Sequence, residues 1–231
     1  MRYLSLILIL YFIAVSEEGY KELNADEIHE LLKLNKKTII LDTRDEESIS
    51  QGYIQNSIII PLSMDYSKFL TTVVRGTASV IIISDENNYS KAIKKVQNES
   101  INISGYAFYD HIKDQINYPI LKVDYKEATK KIVEKLVQGN KVIIDLREIE
   151  EYEEIGIIEN SRLIPLTDLH NKIKRISRVG DIYLICKTGE RALMAMSFFK
   201  KSGFANKIYI MKGGIDKAIK EGYNLIEYSD N

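Results

Sequence analysis

Past the first sixteen residues, short runs of branched aliphatic side chains alternate with stretches in which apolar residues recur every three or four positions. Thr38-Ile-Ile-Leu-Asp42, Val80-Ile-Ile-Ile-Ser84, Val142-Ile-Ile-Asp145 and Ile182-Tyr-Leu-Ile-Cys186 are almost continuously apolar. Runs of this length read as strands covered on both faces, as in parallel sheets. Ile28, Leu31 and Leu32, then Ile132, Val133, Leu136 and Val137, fall at helical spacing, and further helices are expected at about Ser90–Gln97 and Arg191–Lys201. Asn24-Ala-Asp-Glu27 and Asp124-Tyr-Lys-Glu127 both read as an N-cap with Glu at the third helical position, each opening a helix. The alternation predicts βα units, and so an α/β protein with a mainly parallel sheet flanked by helices on both faces.

The pattern occurs twice. Asp42-Thr-Arg44 is followed by Gly52-Tyr-Ile-Gln-Asn-Ser57-Ile-Ile-Ile-Pro61-Leu62, and Asp145-Leu-Arg147 by Gly156-Ile-Ile-Glu-Asn-Ser161-Arg-Leu-Ile-Pro165-Leu166. These landmarks, with Ser84 and Cys186, recur 102–104 residues apart. Two similar α/β domains are expected, at about 17–118 and 119–231, joined near Tyr118-Pro119-Ile-Leu-Lys122.

Composition narrows the function classes. Of 231 residues, 45% are hydrophobic and 28% charged, which suits a globular chain with real cores. The formal net charge of −1, with both signs interspersed, excludes the basic stripe of a nucleic-acid binder. Three histidines, His29, His111 and His170, each stand alone, and one cysteine can form neither an internal disulfide nor a multi-thiolate site, so no metal is expected. Residues 1–16 differ from the rest: an early Arg2, an apolar stretch of about a dozen residues, and Ala14-Val-Ser16 at its end. They read as a signal peptide or membrane anchor, which makes the chain exported, extracytoplasmic or membrane-anchored. A buried first element of a cytoplasmic protein is the alternative. No cysteine follows the apolar stretch, so lipoprotein processing is excluded.

The lone thiol, Cys186, closes a strand and faces Lys187-Thr-Gly-Glu-Arg191. A free cysteine on an apolar strand is ordinarily a small core residue. Two cations and a glycine within five positions, ahead of a helix N-terminus, instead suit a thiolate: the turn can point backbone N–H groups inward as an anion nest, and the helix end adds partial positive charge. At the matching place the first copy has Ser84-Asp-Glu-Asn-Asn-Tyr89, with thiol, glycine and both cations gone and two carboxylates added. The first copy therefore should not share the chemistry. Asp42, Arg44, Asp145 and Arg147 occur in both copies, which favours a structural role: an Asp hydrogen-bonded at a strand end and an Arg paired with a nearby Glu such as Glu151.

Together these segments resemble a tandem rhodanese, of the thiosulfate/3-mercaptopyruvate sulfurtransferase superfamily, over about residues 19–227. The resemblance rests on Asp-x-Arg after the first strand of each copy, the Gly…Asn-Ser…Pro-Leu segments, the Cys186-x-x-Gly189-x-Arg191 loop, and Gly203-Phe204 with Tyr209-Ile-Met-Lys-Gly213-Gly214-Ile215. The sequence departs from the family at Tyr53 and Ile157, where histidine is frequent, and at Lys187, where arginine is common. The resemblance implies two rhodanese-like domains, the first inactive and the second catalytic. It makes Cys186 a nucleophile that carries a persulfide and Lys187, Thr188, Gly189, Glu190 and Arg191 the loop that holds a small anionic sulfur donor such as thiosulfate. Cyanide or a thiol would be the acceptor, with no metal or organic cofactor, and Asp145 and Arg147 would give structural support. Two other readings stand beside it: a non-catalytic binding or sulfur-carrier module, and a Cys-dependent phosphatase or arsenate reductase. The latter carry five residues between Cys and Arg, whereas Lys187–Glu190 gives four.

Overall fold

The computed structural model describes residues 19–63, 67–74, 76 and 79–229; the segment 1–16, read above as a signal or anchor, lies outside them. Among the described residues no helix is long and apolar enough to cross a membrane. The first half runs α1 (Ala25–Leu34), β1 (Thr38–Asp42), α2 (Glu46–Gln51), β2 (Tyr53–Ile54), β3 (Ile58–Ile59), α3 (Ser67–Val73), β4 (Ser79–Ser84), α4 (Tyr89–Asn98), β5 (Ile103–Phe108) and α5 (Tyr109–Ile112). The second runs β6 (Ile120–Leu121), β7 (Asp124–Glu127), α6 (Lys130–Gln138), β8 (Val142–Asp145), α7 (Ile149–Ile155), β9 (Arg162–Leu163), α8 (Leu169–Lys172) between two 3-10 turns, β10 (Ile182–Ile185), α9 (Glu190–Lys201), β11 (Ile208–Lys212) and α10 (Gly214–Lys220).

Each half builds one parallel sheet, in the order β3-β1-β4-β5 and β7-β11-β10-β8-β9. The apolar runs follow from this placement, because each central strand is buried on both faces. Ile39 and Leu41 of β1 face one core while Ile40 faces another; in β10, Ile182 and Leu184 face the first core and Tyr183 and Ile185 a third. That first core is continuous across both halves and contains Cys186. The short β6 still pairs with β2, antiparallel, so the chain passes to the second sheet only after Leu121.

Helix α9 fills the space between the halves. Its residues Ala192–Phe199 are buried all round, and it packs on β3 as well as on β10 and β11. Burying Leu193, Met194, Met196, Phe198 and Phe199 is worth about 1.5–3 kcal/mol each, a sum comparable to the net stability of a whole domain. The helix is therefore a fixed platform for whatever its N-terminus carries. It also closes the first sheet's edge: the N–H of Ile59 in β3 donates to Ser197 Oγ at 2.9 Å, and that hydroxyl donates to the Met194 carbonyl at 2.8 Å.

One expected helix start is a strand. Asn24 does cap α1, accepting from the Glu27 N–H while Glu27 returns the bond. Asp124–Glu127, by contrast, is β7, in parallel register with Tyr209–Lys212, and the helix begins at Lys130 with Thr129 as its cap. The local capping pattern is outweighed because β11 offers an unpaired edge, and Asp124 and Glu127 pair there with Lys207 and Lys217. The first half does the same in brief, with a parallel bridge of Glu22 to Tyr106 before α1.

Candidate functional site

Below the cysteine loop lies a charged staple common to both halves. Arg147, fully buried, donates from Nε and Nη2 to the carboxylate of Asp145, at 3.0 and 2.7 Å to Oδ2, and from Nη2 to the Gly156 carbonyl at 2.8 Å. Arg44 repeats this, with Asp42 at 2.9 and 2.7 Å and the Gly52 carbonyl at 2.9 Å. The Asp-x-Arg strand end is thus tied to the glycine that opens the Gly…Pro segment, so the two motifs recur together because one holds the other. Glu151 is not the carboxylate that balances Arg147; only its backbone carbonyl accepts from Arg147, at 3.3 Å.

Cys186 follows β10 and is fully buried. The Gly189 N–H donates to its Sγ at 3.1 Å, and the Thr188 and Ala192 N–H groups act on the sulfur as well. The turn that aims them depends on Gly189, whose φ of 119° lies outside the range of ordinary side chains and which caps α9. The Ala192 N–H belongs to the first turn of α9, whose donors have no partner within the helix, and it favours negative charge on the sulfur. Burial pushes the Cys186 thiol up; Arg191 and the three N–H groups pull it down without cancelling that effect.

The loop is gripped from behind by α10. The Ile215 N–H donates to the Cys186 carbonyl at 2.9 Å and the Asp216 N–H to the Lys187 carbonyl at 3.1 Å. Gly214, at φ 59°, makes this approach feasible: a Cβ there would lie 2.2 Å from the Lys187 oxygen and 2.3 Å from the Cys186 oxygen.

Of the residues proposed from sequence to hold substrate, Gly189 is buried, Glu190 and Arg191 are half-buried, and Lys187 and Thr188 are exposed. The charge acting on the sulfur is that of Arg191. Its guanidinium forms a two-pronged pair with Glu151, at 2.5 and 2.7 Å. Glu151 is held in turn by the Glu148 N–H at 2.9 Å, in a capping box that opens α7. Although burial would raise the Glu151 carboxyl, the bond from Arg191, the Glu148 N–H and the nearby charges hold it below the usual carboxylate range. Sequence reasoning placed Glu151 beside the wrong arginine. Its position three residues after Glu148 was the available signal, since a box glutamate is anchored to the N–H that opens α7.

The counterpart in the first half shares the burial of the strand-end residue and differs in what surrounds it. Ser84 is also fully buried, but its Oγ has no hydrogen-bond partner. Asp85 bends the following turn onto itself, accepting from the Asn87 N–H at 3.0 Å and from the Asn88 amide at 2.9 Å. Where the second half has Gly213 and Gly214, the chain after β5 enters α5 with Tyr109, whose ring lies 3.5 Å from the Arg44 guanidinium carbon.

Residues 126–221 match the family described as Rhodanese-like domain. The putative sulfur carrier protein YrkF of Bacillus subtilis is 36% identical over 74 residues, and the match spans 31% of this chain and 38% of that relative's length. The uncharacterized protein YqhL of the same organism is 28% identical over 115 residues, spanning 50% of this chain and 79% of the relative. Among solved structures, thiosulfate sulfurtransferase from Pseudomonas aeruginosa is similar over 90% of this chain and 44% of its own, at 14% identity and a TM-score of 0.41. A rhodanese-related protein from Thermoplasma volcanium is similar over 44% of this chain and 98% of its own, at 27% identity and a TM-score of 0.38.

Proposed function

We propose that this chain carries two rhodanese-like units, of which the second moves sulfane sulfur through a persulfide on Cys186. The observation that carries the reading is the sulfur's setting: a thiol at a strand end, with the Thr188, Gly189 and Ala192 N–H groups acting on it and Arg191 adding charge. N–H groups aimed at one atom stabilise negative charge there, first on the thiolate and then on the terminal sulfur of a persulfide. The thiolate attacks the outer sulfur of an anionic donor such as thiosulfate. The donor's S–S bond breaks, sulfite leaves with the electron pair, and Cys186 holds the transferred sulfur. Cyanide or a thiolate then attacks that sulfur, and the Cys186 thiolate leaves with the electron pair of the broken bond. The site runs this cycle without a metal or organic cofactor.

Incubation of the full chain with thiosulfate, followed by intact mass measurement, is expected to show one added sulfur, and cyanide is expected to release it as thiocyanate. Cys186→Ser abolishes both. Thiocyanate formation that survives this substitution overturns the mechanism.

A second reading has its own support. Cys186 is fully buried and Arg191 is held by Glu151, which suits a sulfur carrier that receives sulfur from a partner rather than a site that captures free dianions. The name of the Bacillus relative points the same way. Turnover separates the two readings: a carrier takes up one sulfur but releases no more than one sulfite per chain from thiosulfate.

A further inference from the structure

Arg191 is the cation whose charge reaches Cys186, yet its guanidinium is already engaged. Nη1 and Nη2 donate to the two carboxylate oxygens of Glu151 at 2.5 and 2.7 Å, and the two side chains are only 12% and 25% exposed. A carboxylate laid along a guanidinium takes the edge that the anionic head of a donor would otherwise take. Glu151 is itself held in place by two further links. It accepts from the Glu148 N–H at 2.9 Å, and the Glu148 side chain accepts from the Glu151 N–H and from the Thr167 hydroxyl, the latter at 2.8 Å. The pair is therefore set before any donor arrives, and the same surroundings keep Glu151 charged, below the usual carboxylate range. The rest of the loop does not restore the attraction for anions, since Lys187 is exposed and the half-buried Glu190 adds another carboxylate. An incoming dianion meets a neutralised cation and must displace Glu151 to reach it. A donor with an uncharged head pays neither cost.

We propose that Glu151 is a specificity-determining residue, which turns the Cys186 site away from donors with anionic heads, such as thiosulfate, and toward the hydropersulfides of small thiols. This rests on the sulfur-transfer reading and names its donor. The Cys186 thiolate attacks the outer sulfur of R–S–S–H, the S–S bond breaks, and R–S⁻ leaves with its electron pair. The outer sulfur stays on Cys186 with its hydrogen, which then passes to solvent. Cys186 is the one thiol of the chain, so two alkylating reagents read the electrostatic part with no sulfur donor present: iodoacetate, an anion, and iodoacetamide, its uncharged counterpart. Both consume the same thiolate, so the ratio of their rates does not depend on how much of the thiol is ionised. Glu151→Gln keeps an oxygen for the Glu148 N–H and removes the charge. It is expected to raise the iodoacetate-to-iodoacetamide ratio about tenfold. The rate of sulfur loading from thiosulfate relative to 2-hydroxyethyl hydropersulfide, followed by intact mass, is expected to rise by a similar factor. Glu150→Gln removes an equal charge from an exposed position in the same turn of α7 and is expected to leave both ratios at their native values. Ratios unmoved by Glu151→Gln, an equal shift in Glu150→Gln, or faster loading of the native chain by thiosulfate than by the hydropersulfide would each overturn the proposal. Absence of sulfur on Cys186 from either donor, in native and variant chains alike, would overturn the sulfur-transfer reading itself and the donor assignment with it.

Discussion

The two strand-end turns, at Ser84 and at Cys186, rest on the same base and diverge above it. Both sit on a buried Asp-x-Arg staple that grips a glycine carbonyl, and both follow the central strand β4 or β10. Only at Cys186 does the backbone turn inward, so that N–H groups meet the side chain while α10 holds the loop from outside. At Ser84 the side chain has no partner and the acidic turn satisfies itself. The difference teaches that the scaffold makes no site by itself. Glycine, helix end and thiol are supplied together in the second half, and in the first half their place is taken by an acidic turn closed on itself.

The sharpest test of that comparison is Gly214→Ala. The added methyl would meet backbone atoms of the loop, the Lys187 and Cys186 oxygens at 2.2 and 2.3 Å nearest, so the grip on the loop must open. A loss of about 3 kcal/mol or more is expected by chemical denaturation, together with loss of persulfide formation, because a strained backbone and a forced separation add. Retained stability and retained sulfur uptake would show that the grip is dispensable.

Next in size, Arg147→Met and Arg44→Met each strand a buried carboxylate, which costs about 3–5 kcal/mol. Similar losses from both substitutions are expected, since both arginines make the same bonds. A much smaller stability loss for Arg147→Met, with abolished sulfur uptake, would make Arg147 part of the chemistry instead.

Glu151→Gln is expected to change reactivity more than stability. Burial holds the Cys186 thiol up, so its alkylation rate rises with pH beyond the range of an ordinary thiol near 8.5. With Glu151 neutral, the charge of Arg191 acts on the sulfur unopposed, and the midpoint of the alkylation profile moves to lower pH. A thiol raised in the folded state favours folding below the ordinary thiol value, and that contribution is lost as pH climbs through the folded value. Melting temperatures of the native chain and of Cys186→Ser should therefore diverge only in alkaline solution.

The smallest expected effect is Ser84→Cys. With no N–H aimed at position 84 and carboxylates at 85 and 86, thiosulfate should add no sulfur there, as read by intact mass in a Cys186→Ser background. Sulfur uptake at position 84 would show that the scaffold suffices and would dissolve the distinction between the halves.

Much of this was legible in the chain itself. Apolar runs such as Val80–Ile83 and Val142–Ile144 announce strands covered on both faces, and spacing announces the helices, because both signals depend on neighbours a few residues away. The repeat, the break in it at Ser84, and the grouping of Cys186 with Gly189 and Arg191 follow from order along the chain. Contacts between distant segments decided the rest. Whether Asp124–Glu127 caps a helix or extends a sheet depended on the open edge of β11, more than eighty residues away. Which arginine Glu151 neutralises depended on where α7 lies against the start of α9. And although the residues announced a thiolate loop, only packing determined that its sulfur would be fully buried, because desolvation is set by everything that surrounds an atom and not by what precedes it in sequence.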